Sequence, residues 1–77
     1  MDEFEVELRI SQLEKAYAIA TSALHRARLT LQALRGDPGT SAALIERAQK
    51  RHDELVRRRE GLRFTLDELE TQNARVQ

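Results

Sequence analysis

The chain predicts an all-α fold, a two-helix antiparallel coiled-coil hairpin, and three observations carry that prediction. Apolar residues recur at alternating steps of four and three along both halves of the 77-residue sequence, the period of a coiled-coil seam. Both halves are rich in Leu, Ala, Glu, Arg and Gln and poor in β-branched residues, a composition that favours helix. The one strong interruption, Arg35-Gly36-Asp37-Pro38-Gly39-Thr40, falls near the middle, so two helices of similar length can fold back on each other.

The first helix is expected over about residues 3–35. Asp2 with Glu5 three residues on reads as a capping box at its start. Val6, Ile10, Leu13, Tyr17, Ala20, Leu24, Ala27, Leu31 and Leu34 form its seam. The turn is expected over 36–40: Gly36 would close the helix in the left-handed conformation, while Pro38 cannot continue a helix and pushes Asp37 out of the helical region. Thr40 or Ser41 then supplies an N-cap hydroxyl for a second helix over about 41–74. Its seam runs Ile45, Ala48, His52, Leu55, Arg59, Leu62, Leu66, Leu69, Asn73 and Val76, with polar residues at three positions. Each helix is ~50 Å long at 1.5 Å per residue.

One register aligns every layer, with paired residue numbers summing to 79. Leu34 then meets Ile45, Leu31 meets Ala48, Leu24 meets Leu55, Tyr17 meets Leu62, Leu13 meets Leu66 and Ile10 meets Leu69. The same register sets His52 against Ala27 and Arg59 against Ala20, so each large polar intruder faces a small residue. Arg63 is expected near Glu14.

The chain of 8.9 kDa has room for one domain, residues 1–77. Its 40% apolar and 34% charged residues are those of a folded chain in water. Without cysteine it can build neither a disulfide framework nor a thiolate metal site, and two histidines, His25 and His52, are a poor basis for any other. Neither a signal-peptide pattern nor an apolar run of about 20 residues is present, which makes the cytoplasm the expected location. No Gly-rich phosphate loop, Ser-centred elbow or metal-spaced His pair occurs, so neither catalysis nor a cofactor is expected. His52-Asp53-Glu54 is the nearest approach to an acid/base cluster and reads more simply as a seam histidine followed by two solvated carboxylates. Arg35-Gly36-Asp37 spells the tripeptide read by integrins, but a Gly followed by an Asp before Pro is ordinary turn chemistry.

Charge is distributed unevenly although its sum is zero. Residues 1–14 carry −4, residues 15–63 carry +6 and residues 64–77 carry −2. In the hairpin both acidic segments coincide, making an acidic open end and a basic middle and turn. The densest basic stretch, Lys50-Arg51 through Arg57-Arg58-Arg59 to Arg63, is interrupted by Asp53, Glu54 and Glu60 and holds no aromatic residue. That pattern favours a solvated helix face over a phosphate-binding one.

A single hairpin buries one seam, and a chain this short gains little from its core, which favours completion of a bundle by a partner or a second copy. Phe4, Leu8, Ile19, Leu29, Leu44, Val56 and Phe64 are apolar residues off the seam. Ala16, Ala20, Ala23 and Ala27 give the first helix a smooth strip for the close approach of another helix.

The segment from Leu13-Glu14-Lys15 through Ala23-Leu24, Ala27, Leu31 and Leu34 to Arg35-Gly36-Asp37, with Ala43-Leu44 and Leu55 beyond, resembles the small helical-hairpin co-chaperones of bacterial type III secretion needle subunits. The resemblance implies a cytoplasmic protein that joins a helical-repeat chaperone and helps to keep an aggregation-prone needle subunit unpolymerised. It also implies contact through Ala16, Ala20, Ala23 and Leu24.

The resulting expectation is a non-enzymatic helical adaptor or small co-chaperone, with Ala16, Ile19, Ala20, Ala23, Leu24 and Ala27 meeting a helical protein partner. Self-association as a structural spacer is a further expectation. The competing one is a homodimeric four-helix bundle that binds nucleic acid through Lys50, Arg51, Arg57 and Arg58.

Overall fold

The computed structural model describes residues 2–76. Two helices, α1 (Glu3–Gly36) and α2 (Ala42–Val76), pack side by side as an antiparallel hairpin. The molecule is a rod with extents of 57 × 14 × 13 Å and a radius of gyration of 17.2 Å, against the roughly 11.5 Å of a compact domain of this length.

Helix α1 starts where a carboxylate can occupy its orphan donors. Asp2 lies in the extended region and its Oδ1 accepts the Phe4 N–H at 2.8 Å, while its carbonyl takes the first helical bond from Val6 at 3.1 Å. The carboxylate therefore engages the second helical N–H rather than that of Glu5. Helix α2 starts on Ser41, whose Oγ accepts the Leu44 N–H at 3.3 Å. Of the two expected hydroxyls, Ser41 makes the cap.

The turn corrects one expectation. Gly36 is the last residue of α1 and has no positive φ. Termination falls instead on Asp37, which is extended at φ −99 and ψ 109 and whose N–H reaches the Leu34 carbonyl at 3.3 Å. The ring of Pro38 disfavours the helical region for the residue before it, so the chain leaves the helix without a left-handed glycine. Asp37 Oδ1 then accepts the Gly39 N–H at 2.9 Å and the Asp37 carbonyl accepts the Thr40 N–H at 3.1 Å, an Asx turn inside a β-turn. Across the base of the turn Arg35 Nη2 donates to Gln49 Oε1, tying the two helices together.

The core is one seam deep. Leu13, Ala20, Leu24 and Leu31 of α1 and Leu55 and Leu66 of α2 are buried, and every other seam residue whose burial is described is half-buried. Val76 lies outside the residues whose side chains are described. Ala20 is 3% exposed although it is the smallest residue of its layer. Arg59, opposite it in the register that sums to 79, is half-buried, as an aliphatic stem laid over an alanine would be. Off the seam, Phe4, Leu8, Ile19, Leu29, Leu44 and Phe64 are exposed and Val56 is half-buried. Arg63, expected near Glu14, makes its ion pair elsewhere. Its Nε lies 3.3 Å from Asp67 Oδ1, one turn along its own helix, a pairing that needs no alignment between helices.

The rod leaves 5880 Å² of accessible surface, against roughly 4,800 Å² for a compact monomer of 8.9 kDa. Gly61 sits inside α2 with nothing within 4 Å of where a Cβ would lie, so the hairpin itself gives no packing reason for a glycine there.

Two substitutions gauge the seam and this glycine by urea unfolding at low micromolar chain. Leu24→Ala is expected to cost about 2–5 kcal/mol, because it empties the centre of the seam. Gly61→Ala is expected to stabilise by about 0.5–1 kcal/mol through helix propensity alone.

Candidate protein-docking face

The six residues expected to meet a partner do not share one environment. Ala20 and Leu24 are 3% and 2% exposed: they are seam residues committed to α2, and the closed hairpin cannot offer them to a second protein. Their place in the seam follows from the same four-three spacing that marks the alanine strip, so a strip of alanines running at seam period turns partly inward. Ala27 is half-buried and is also a seam residue. Ala16 and Ala23 are half-buried beside the seam, and Ile19 stands between them at 69% exposure.

These three belong to a second row on α1, Gln12, Ala16, Ile19, Ala23, Arg26, Thr30 and Ala33, again stepped by four and three. The row lies along one flank of the seam. Toward the turn it borders an open groove of about 280 Å³ between the helices, lined by Ala23, Arg26, Ala27 and Thr30 of α1 and by Ala48, Arg51 and Leu55 of α2. Its small lining residues let the two helices approach, and the Arg26 and Arg51 side chains stand at its edges. Ala27 lining this groove together with Ala48 and Leu55 accords with a layer in which Ala27 faces His52. Sequence reasoning passed over Arg26 and Thr30 and took Ala48 for a seam residue alone, although the spacing of the first two from Ile19 was available.

Helix α2 completes the flank with the corresponding row Leu44, Arg47, Arg51, Glu54, Arg58, Gly61, Thr65, Glu68 and Gln72. Lys50, Arg51, Arg57 and Arg58 are all exposed, but they do not make one stripe. Arg51 and Arg58 follow the flank, whereas Lys50 and Arg57 lie about 100° round the helix on its outer side. There Lys50 lines a separate depression with Ala43, Glu46 and Arg47.

The polar chemistry of the opposite flank is structural. His52 Nδ1 and Gln49 Nε2 both approach Asp53 Oδ1, at 3.2 and 2.9 Å, and Gln49 in turn accepts from Arg35. The hydrogen bond from His52 is the main reason the Asp53 carboxyl is held below its ordinary value of 3.8, with that from Gln49 next and Arg57 adding attraction. This chain of bonds joins the turn and the two helices along a partly buried edge. Both charged ends of Arg35-Gly36-Asp37 are likewise engaged, Arg35 with Gln49 and Asp37 with Gly39. Among the described residues no group of three or more His, Asp or Glu is placed to hold a metal ion, and no helix is long and apolar enough to cross a membrane.

No family model matches the chain, no curated protein matches it and no solved structure matches it.

The Asp53 network has a pH signature. A carboxyl whose folded pKa is depressed stabilises the fold above its unfolded value and loses that contribution as the pH falls through its folded one. Thermal melts from pH 6 down should therefore show a loss beginning near the ordinary value of 3.8 and continuing below it. Asp53→Asn should flatten that part of the acid limb; an unchanged limb would show that the network contributes nothing.

Proposed function

We propose that the chain is a non-enzymatic helical adaptor or small co-chaperone that receives another helical protein along the flank formed by Ala16, Ile19 and Ala23 of α1 and by Arg51, Arg58 and Gly61 of α2. The observation that carries this reading is Ile19. It is a β-branched aliphatic side chain at 69% exposure, set midway along the rod between two alanines, where a facing helix would find a knob with smooth ground on either side. Scattered apolar residues are normal on protein surfaces, but this one stands between Ala16 and Ala23 in a row that borders a groove. The rod supports the reading from another side: with six buried apolar residues among those described, a hairpin gains substantially from any further burial.

In its finer form the partner is a secretion needle subunit or the helical-repeat chaperone that accompanies it, in a cytoplasmic complex. That form rests on the resemblance of residues 13–55 to the needle co-chaperones. The contact set it implies needs revision, since Ala20 and Leu24 are spoken for by the seam.

The competing nucleic-acid reading makes the opposite demand on the surface. It needs Lys50, Arg51, Arg57 and Arg58 as phosphate contacts, each adding a salt-dependent increment to affinity. Their spread over two sides of α2 and the absence of a base-stacking aromatic among them weaken it.

Tagged chain expressed with the candidate helical partner separates the two. Ile19→Arg should abolish capture of the partner, leave the circular dichroism of the hairpin unchanged and cost less than about 0.5 kcal/mol of stability, as exposed substitutions do. Arg57→Glu with Arg58→Glu should leave capture intact and resistant to nuclease. If instead the arginine pair is required and Ile19→Arg is silent, the adaptor reading is wrong.

A further inference from the structure

We propose that, in the absence of any other protein, the Ile19 flank is covered by a second copy of this chain, turned end for end, so that the acidic open end of each hairpin lies on the basic half of the other. This goes beyond the adaptor reading and stands on the isolated chain whether or not a client exists.

Three features of the hairpin lead to it. The first is the division of charge along the rod: −4 and −2 on the two segments at the open end and +6 on the middle and turn. Two rods side by side in the same direction set like charge against like over their whole length, whereas reversed rods set the −5 of the open half, residues 1–19 and 60–77, against the +5 of the turn half, residues 20–59. A molecule whose two halves complement each other is self-complementary under a two-fold axis through its middle. Among the described residues the only ion pairs are His52–Asp53 and Arg63–Asp67, so Arg26, Arg47, Arg51 and Arg58 bring their charge to that flank without a carboxylate partner in the hairpin.

The second is area. The rod exposes roughly 1,000 Å² more than a compact monomer of its mass, and a stable interface removes about 800 Å² from each partner. One flank, 57 Å long and 13 to 14 Å wide, supplies surface of that order. One copy can therefore cover one copy.

The third is the placement of particular residues. Ile19 lies at the midpoint of α1 (Glu3–Gly36), and Arg58, Gly61 and the midpoint of α2 (Ala42–Val76) lie at the same height. With the two-fold axis there, α1 faces α1 and α2 faces α2, each antiparallel. The Ile19 side chains then meet across the axis, and Ala16 of one copy meets Ala23 of the second copy on either side of them. On α2, Arg58 falls over the second copy's Gly61, where the open space beside the Gly61 Cα receives it. Arg51 falls opposite Glu68. The glycine without a purpose in the hairpin and the unpaired arginine both acquire one.

The test uses the full chain alone. Light scattering over a dilution series should give the mass of two chains of 8.9 kDa at high concentration, and 1 M salt should weaken the association by tenfold or more, since screening then acts within about 3 Å. Ile19→Glu should return the chain to single mass with unchanged helicity. Because the chain has no cysteine, Ile19→Cys should form a disulfide between copies under mild oxidation, which a same-direction pairing would prevent by setting α1 against α2. Arg51→Glu should weaken the dimer by about tenfold, from two symmetric pairs each turned repulsive, and adding Glu68→Arg in the same chain should restore it. A chain that stays single up to about 1 mM, a dimer indifferent to Ile19→Glu, or a charge swap without rescue would each overturn the proposal. None of these outcomes involves a client, so failure here is distinguishable from failure of the adaptor reading.

Discussion

Every feature of this molecule depends on one row of side chains. Leu13, Ala20, Leu24 and Leu31 from one helix and Leu55 and Leu66 from the other are the buried apolar side chains among the described residues, and they hold two helices of 34 and 35 residues together. A seam this narrow fixes the orientation of both helices about their own axes. It thereby decides which residues remain outside, and the flank carrying Ile19 is defined by what the seam leaves over. It also explains why two of the three polar seam positions sit where they do. Arg59 and His52 are tolerated because a long or planar side chain can keep its polar tip in water while covering a small neighbour.

The sequence made the seam legible because burial and period are the same information in a coiled coil. Each seam position is buried or half-buried wherever its side chain is described, and the start of each helix is marked by a residue whose side chain can accept an N–H. The turn was legible in place but not in mechanism. A glycine after an arginine suggests a left-handed cap, yet the steric demand of Pro38 on Asp37 already ends the helix, and local sequence does not reveal which of two sufficient devices acts. The docking residues were the least legible. Ala20 and Leu24 belong to a run of alanines and leucines whose two periodic rows interleave, and composition alone does not assign a residue to the inner or the outer row. The ion pair of Arg63 was illegible for a related reason: a register gives the height of a residue, while its choice of partner depends on a carboxylate within reach on its own helix.

Electrostatics act here at two ranges. At short range they close the turn, through Arg35 with Gln49 and Asp53 with Gln49 and His52, where each bond is exposed or part-buried and individually modest. At long range they give the rod two ends of opposite sign. The short-range set is internal and determines shape. The long-range set has no internal use, since the two acidic segments of the hairpin lie at the same end and repel each other slightly when the seam closes.

The loop geometry has a kinetic consequence. In a hairpin whose paired positions add to a constant, the chain enclosed by each layer grows by steps from the turn outward. Closing Leu34 on Ile45 confines few residues, whereas closing Ile10 on Leu69 confines nearly the whole chain. The Asp37–Thr40 turn and the Arg35–Gln49 link hold the shortest of these loops ready, so the entropic cost of ordering is met first where it is smallest. The helices then join as a zipper from the closed end, each layer lowering the cost of the next. The same gradient governs opening, and amide hydrogens beside Leu31 and Ala48 should outlast those beside Ile10 and Leu69 in exchange with solvent.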